Sequence, residues 1–123
     1  MAEKDVLGRS GEQLAASFLE TAGYRIVDRN WRGTRGELDI VAEHGDTTVF
    51  VEVKTRSGLG FGHPFEAITP RKLRSLRRLA GEWCAQAQPP SRPPARGRIR
   101  LDVIAVIGGL DGPARIEHLR GVG

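Results

Sequence analysis

Cysteine is all but missing from this chain: Cys84 is the only one among 123 residues. No internal disulfide can form, and with His44, His63 and His118 scattered along the sequence there is no spacing for a zinc site. No run approaches the ~20 consecutive apolar residues that a membrane-spanning helix needs. The amino-terminal Met1-Ala2-Glu3-Lys4-Asp5 lacks the apolar core of a secretory signal. The glycines of Ser57-Gly58-Leu59-Gly60-Phe61-Gly62-His63-Pro64 are followed by neither Gly-Lys-Ser/Thr nor a strand-to-helix Gly-x-Gly-x-x-Gly context, so they are not a nucleotide fingerprint. These absences point to a cytoplasmic protein in a reducing compartment, with no membrane partner.

What is present is an ordinary apolar fraction of 39% beside 28% charged residues, enough for one sheet-and-helix core and a single domain over residues 1–123. The net charge is +4 and the pI is near 10.0, which favours acidic partners, nucleic acid first.

Residues 37 to 54 form the most informative stretch, two alternating apolar/polar runs parted by His44-Gly45-Asp46. They read as a β-hairpin. With Gly45-Asp46 as a two-residue type II′ loop, His44 faces Thr47, Ala42 faces Val49, Asp39 faces Glu52 and Glu37 faces Lys54. By strand alternation, Glu37, Asp39 and Val41 then share a side with Phe50, Glu52 and Lys54. A four-residue loop preserves this register, whereas an unbulged three-residue loop separates the acids. Directly opposed carboxylates repel unless a cation or proton lies between them. Asp39 and Glu52 are oxygen ligands of the kind Mg²⁺ or Mn²⁺ takes, with the Val53 carbonyl in reach as a third, and Lys54 is placed to hold a phosphate or orient a water. The plain alternative is a set of cross-strand ion pairs on a wet face.

Elsewhere, residues 5 to 22 read as a helix with Leu14, Ala15, Phe18, Leu19 and Ala22 on one stripe and Glu12 at its edge. Gly23 ends it. Tyr24 to Trp31 reads as a strand with Tyr24, Ile26 and Asp28 on one face, and residues 32 to 36 as a turn in which Arg32 and Arg35, with Arg29, approach the acids. Residues 57 to 64 suggest a flap or connector, with Phe61 available to stack on a base. Thr69-Pro70 starts a second helix whose core stripe is Leu73, Leu76, Ala80, Trp83, Cys84 and Ala87, and whose other side carries Arg71, Lys72, Arg74, Arg77 and Arg78. Residues 88 to 97, rich in Pro and Arg, read as an exposed loop. Residues 98 to 107 form a strand apolar on both faces and therefore inside the sheet, with Asp102 orienting a basic neighbour. Gly108 to Pro113 turns into an edge strand over residues 114 to 119.

Gly8-Arg9-Ser10-Gly11-Glu12, Gly23-Tyr24, Asn30-Trp31-Arg32, Gly36-Glu37-Leu38-Asp39-Ile40-Val41-Ala42, Phe50-Val51-Glu52-Val53-Lys54-Thr55-Arg56, Phe61-Gly62, Lys72 and Leu101-Asp102-Val103-Ile104 together resemble the YraN-like family of small bacterial proteins. That family is similar to the PD-(D/E)XK nuclease superfamily, with the restriction-endonuclease-like fold shared by archaeal Holliday junction resolvases. The resemblance implies an α/β fold with an αβββαβ core, a mixed β-sheet flanked by helices. It implies Asp39 and Glu52 as metal-binding acids, Lys54 as the motif lysine and Glu12 as the first-helix acid of the resolvase-like branch. Leu38 stands where the superfamily motif has Pro.

The expectation from residues and resemblance together is a nucleic-acid-binding protein resembling a metal-dependent endonuclease. It would use Mg²⁺ or Mn²⁺ at Asp39, Glu52 and Val53, catalytic Asp39, Glu52, Lys54 and Glu12, and phosphate contacts from Arg32, Arg35, Arg56, Lys72 and Arg74. DNA stands ahead of RNA, and action on a symmetric branched substrate would call for a homodimer. The competing expectation is a nuclease-fold protein without turnover that binds DNA or RNA or serves as an interaction module.

Overall fold

The computed structural model describes the backbone of residues 3–60, 62–86, 97–108 and 112–123, and the side chains of these from residue 10 onward. Phe61, the Pro/Arg-rich segment apart from Gly97, Ala87, and the centre of the turn before the last strand lie outside the described residues. The chain runs α1 (Glu3–Thr21), β1 (Arg25–Gly33), β2 (Gly36–His44), β3 (Thr47–Arg56), a 3₁₀ turn (Pro64–Ala67), α2 (Pro70–Gln86), β4 (Arg98–Gly108) and β5 (Ala114–Leu119). The five-stranded sheet has the order β1-β2-β3-β4-β5. Only the β3–β4 pairing is parallel; the other three are antiparallel. This mixed sheet follows from the connections: tight loops join antiparallel neighbours, whereas the crossover through α2 returns the chain parallel to β3.

The β2–β3 loop has the expected two residues, His44 pairing with Thr47 and Ala42 with Val49. Gly45 takes φ +63°, the left-handed value that a type II′ first position demands and that glycine adopts at no steric cost. A second two-residue loop, Thr34-Arg35, closes β1 on β2 with Gly33 opposite Gly36. The five-residue turn expected at 32 to 36 is therefore a tighter hairpin, and strand pairing extends through Arg32 and Gly33.

The sheet separates two cores. On one face α1 lays Ala15, Ala16 and Leu19 against Ile40, Ala42, Val49, Val51, Ile104 and Val106. On the other, α2 lays Leu76, Leu79, Ala80 and Trp83 against Leu38, Val41, Phe50 and Leu101. Burying each large aliphatic contributes about 1.5–3 kcal/mol, so these two seams hold the helices on the sheet. The first stripe is rotated from the sequence expectation: Leu14 is 37% exposed and Ala22 is exposed, while Ala16 is buried. Small alanines let α1 lie close to the sheet, and that contact selects the buried face over the larger Leu14. Leu79, outside the expected stripe of α2, is also buried.

A bulge between Ile26 and Asp28 re-aims β1. Asp28 consequently faces α2, where its carboxylate accepts from Trp83 Nε1 at 3.0 Å, and does not share the α1 side with Tyr24 and Ile26. Thr69 Oγ1 accepts from the Lys72 N–H at 3.1 Å, the expected cap of α2. β4 lies between β3 and β5, and its apolar residues from Leu101 to Ile107 are buried on both faces, whereas Ile99 at its start is exposed. Among the described residues, no helix is long and apolar enough to cross a membrane.

Candidate acid centre

The site lies where β2 leaves β3. Their ladder runs from His44↔Thr47 to Ile40↔Val51 and ends there, while β3 continues to pair with β4 through Arg56. Asp39 and Glu52 are next in register, but their backbones are no longer a ladder pair, and the expected opposition of Glu37 to Lys54 does not form; on its other edge β2 keeps the pairing of Glu37 with Arg32 of β1. The physical cause is the Asp39 side chain. Its Oδ2 accepts from the Val53 backbone N–H at 2.8 Å, taking the donor that an undisturbed strand would have satisfied from its own backbone.

Glu52 is 5% exposed. Two ammonium groups reach the same oxygen, Lys54 Nζ at 3.3 Å from Oε2 and Lys72 Nζ at 3.2 Å. Such pairing is what allows a buried carboxylate to persist. Lys54 comes from two residues along β3 and Lys72 from the first turn of α2, so a strand and a helix converge on one acid. Burial, and after it the charge of Glu52, push the Asp39 carboxyl up to about 7; Glu12 adds to this, while the Val53 N–H and Lys72 oppose it.

Glu12 reaches the centre from α1. Burial raises its carboxyl above the usual range against a hydrogen bond from Asn30 and the charge of Arg29, and the negative charges of Glu37 and Glu52 act in the same direction as burial. Its approach depends on Gly11, whose backbone lies so close to β3 that a Cβ there would fall 2.2 Å from Thr55 Oγ1. Glycine is the residue that permits this contact.

The donor chemistry suits a hard divalent cation: two carboxylates held together in a poorly solvated place, with a third in electrostatic range. Among the described residues, no three His, Cys, Asp or Glu side chains form a group that could hold a metal ion. An ion here would rest on Asp39 and Glu52 and complete its shell with backbone oxygen and water, as Mg²⁺ commonly does.

The basic residues separate into two sets. Lys54 and Lys72 belong to the acid pair. Arg32 and Arg35 sit at the β1–β2 tip, beside a cleft of about 250 Å³ lined by Arg32, Gly33, Thr34, Gly36 and Glu37. That tip is fastened to α2: Glu82 Oε1 accepts from Thr34 N and Oγ1 at 2.9 and 2.7 Å, and Arg78 donates to the Arg35 carbonyl at 3.0 Å. Arg74 is exposed on α2 between Lys72 and the clasp, and Arg56 donates to the Thr55 carbonyl at 2.9 Å. Asn30, Gly11 and Thr55 belong to the sequence pattern but carry no assigned role there; an asparagine in the middle of a strand run is the signal that could have marked the first.

Asp102 is in a different place, fully buried on the α1 face. Arg100 donates to both its oxygens at 2.8 and 2.9 Å, His118 Nε2 lies 2.7 Å from Oδ2, and the Gly121 N–H donates at 3.1 Å. Burial alone would raise this carboxyl, but the hydrogen bonds from His118, Arg100 and Gly121 hold it well below the usual carboxylate range. Asp102 therefore orients a basic neighbour, Arg100.

A five-stranded mixed sheet with one helix on each face and paired acids at the point where two strands part defines the restriction-endonuclease-like α/β class. Within that class, residues 11–106 match the family described as Uncharacterised protein family UPF0102. Proteins named UPF0102 protein from Arthrobacter sp. (strain FB24) and Beutenbergia cavernae are 55% and 53% identical over 123 residues, covering all of both chains. One from Paenarthrobacter aurescens (strain TC1) is 56% identical over 122 residues, 99% of this chain and 97% of its own. The chain belongs to the UPF0102, or YraN-like, family.

Proposed function

We propose that this protein binds nucleic acid, DNA ahead of RNA, and hydrolyses phosphodiester bonds with Mg²⁺ or Mn²⁺ held by Asp39 and Glu52. The observation that carries this reading is the acid pair itself: two carboxylates gathered where the β2–β3 ladder ends, one oxygen of Glu52 shared by Lys54 and Lys72. Paired buried acids destabilise a fold, and a binding site is the usual compensation. The bound cation would supply Lewis-acid stabilisation of charge on a scissile phosphate.

The chain's own groups have distinct tasks. The Val53 N–H fixes the rotamer of Asp39. Lys54 and Lys72 neutralise Glu52, and either ammonium would be within reach of a phosphate oxygen or a water at this centre. Glu12 orders water from the α1 side. Arg74 and the clasped Arg32–Arg35 tip extend positive charge along the outer side of α2, a track for a phosphate backbone that reads no base edges. The setting is the cytoplasm, where Cys84 stays a thiol.

The same ion pairs support a second reading, binding without turnover, because the charge of Glu52 is already met by two cationic partners. Titration of Mn²⁺ and Mg²⁺ into the wild type and Asp39→Ala, beside cleavage of labelled linear, flapped and four-way DNAs, separates the two. Cation binding and cutting that both vanish in the variant support the nuclease. Salt-sensitive DNA affinity unchanged by the substitution, without cutting, supports the binder. A wild type that binds no cation at millimolar concentration, with or without DNA, removes the nuclease reading.

A further inference from the structure

Asn30 is the one non-glycine residue with positive φ among the described residues, at 51°. Left-handed backbone is uncommon in the middle of a strand, asparagine tolerates it better than other side chains, and such strained positions gather at functional sites. The ladder pairs Arg29 with Ile40 and Trp31 with Leu38 and omits the position between, where Asn30 and Asp39 face each other.

The interruption reverses the faces of both strands. Residues two apart in a regular strand share a face. Here Arg29 donates to Gln13 of α1 at 3.0 Å whereas Trp31 packs in the α2 core. Across the ladder Ile40 packs in the α1 core whereas Leu38 packs in the α2 core. Asn30 and Asp39 are thus the shared hinge point of a double kink. From it the Asp39 carboxylate reaches Val53, and the Asn30 side chain reaches back to hydrogen-bond Glu12 on α1.

We propose that Asn30 is a positioning residue of the acid centre: its left-handed backbone opens the β1–β2 ladder opposite Asp39, and its side-chain amide holds the Glu12 carboxylate toward the acid pair. This deepens the cation-site reading above and rests on it. The two parts of the role are separable by chemistry. Glycine adopts the backbone angle but has no amide, alanine has neither, and aspartate keeps a similar shape but replaces the amide donor with an acceptor.

The test is Mn²⁺ affinity and thermal unfolding for Asn30→Gly, Asn30→Asp, Glu12→Ala and the double variant Glu12→Ala/Asn30→Gly. The expected result is that Asn30→Gly melts within a few degrees of the wild type yet binds Mn²⁺ about 10-fold more weakly, in the range for loss of an outer-shell partner. Asn30→Asp is expected to lose at least as much. The double variant should bind no more weakly than Glu12→Ala alone, because Asn30 acts through Glu12. Wild-type affinity in Asn30→Gly, or losses that multiply in the double variant, overturns the positioning role while leaving the cation site in place. A wild type that binds no Mn²⁺ overturns both.

Discussion

The Asp39 carboxylate accepts the Val53 N–H at 2.8 Å one residue beyond the last β2–β3 ladder pair, Ile40↔Val51. A side chain has replaced a backbone acceptor at the point where the strands part. The replacement leaves a carboxyl group in a place that disfavours its charge, and a stability effect follows.

Asp39 is raised from 3.8 to about 7 by burial and by Glu52. A carboxyl whose folded pKa exceeds its unfolded value holds its proton more tightly when folded. Its contribution is therefore fully present below pH ~4 and is lost as pH rises through about 7. Asp39→Asn keeps the acceptor for Val53 and removes the charge. At pH 8 the variant should be more stable than the wild type by about 1–3 kcal/mol, the gain disappearing below pH 4. Denaturant unfolding across pH 4 to 8 checks it, and a variant less stable at pH 8 contradicts the account of the site.

Added Mn²⁺ should raise the melting temperature of the wild type at pH 8, by the equivalent of ~2.7 kcal/mol at 100 times its dissociation constant. Asp39→Asn and Glu52→Gln should show little of this shift. The increment should shrink toward pH 6 as protons compete for Asp39, so the same scan at two pH values distinguishes a carboxylate site from general salt stabilisation.

Gly11→Ala places a Cβ 2.2 Å from Thr55 Oγ1 and 2.8 Å from Thr55 Cγ2. Relief requires Thr55 or α1 to shift, which should cost about 1–3 kcal/mol, as overpacking usually does. Thr55→Ala removes both nearest atoms and should restore part of the loss in the double variant. Additive losses would show that the contact is not what makes Gly11 necessary.

Asp102→Ala leaves the Arg100 guanidinium without its bidentate partner in a half-buried place, and His118 without its acceptor. Breaking such a pair costs about 3–5 kcal/mol. Asp102 pairs with Val51 next to Glu52, but its side chain lies on the α1 face whereas Glu52 meets Lys72 of α2 on the other, so the variant that remains folded at low temperature should retain Mn²⁺ affinity. Isothermal titration on the folded fraction tests that separation.

Arg74→Ala should weaken DNA binding about equally for every sequence and reduce the slope of log affinity against log salt by ~1. Glu82→Ala removes the acceptor that holds Thr34, so the arginine-bearing tip loosens and nucleic-acid affinity should fall although a negative charge has been removed. A rise in affinity would mean that charge outweighs the rigidity of the tip.

Much of this was legible in the residues. Alternation and the Gly45-Asp46 loop predicted the hairpin and its register, because a one-residue slip would have exposed Val49 and Val51. The doubly apolar run from Val103 to Ile107 placed β4 inside the sheet, and the Thr69-Pro70 cap placed the start of α2. Periodicity located α1 and α2 but not their buried faces in full. Leu14 lost to the smaller Ala16 because closeness of the helix to the sheet decided the contact, and no hydropathy value contains that distance.

What the sequence determined by itself was local and repetitive: element order, the hairpin loop, the acids' place in register, and membership of a pattern containing Asp39, Glu52 and Lys54. Only the tertiary structure decided that the ladder stops at Ile40↔Val51, that Lys72 shares Glu52 with Lys54, that Asn30 opens β1 opposite Asp39, and that Glu82 clasps the basic tip. Each of these joins residues distant in the chain or turns on one backbone angle. Such relations arise from how two helices settle on a twisted sheet, and alternation and periodicity carry no record of them.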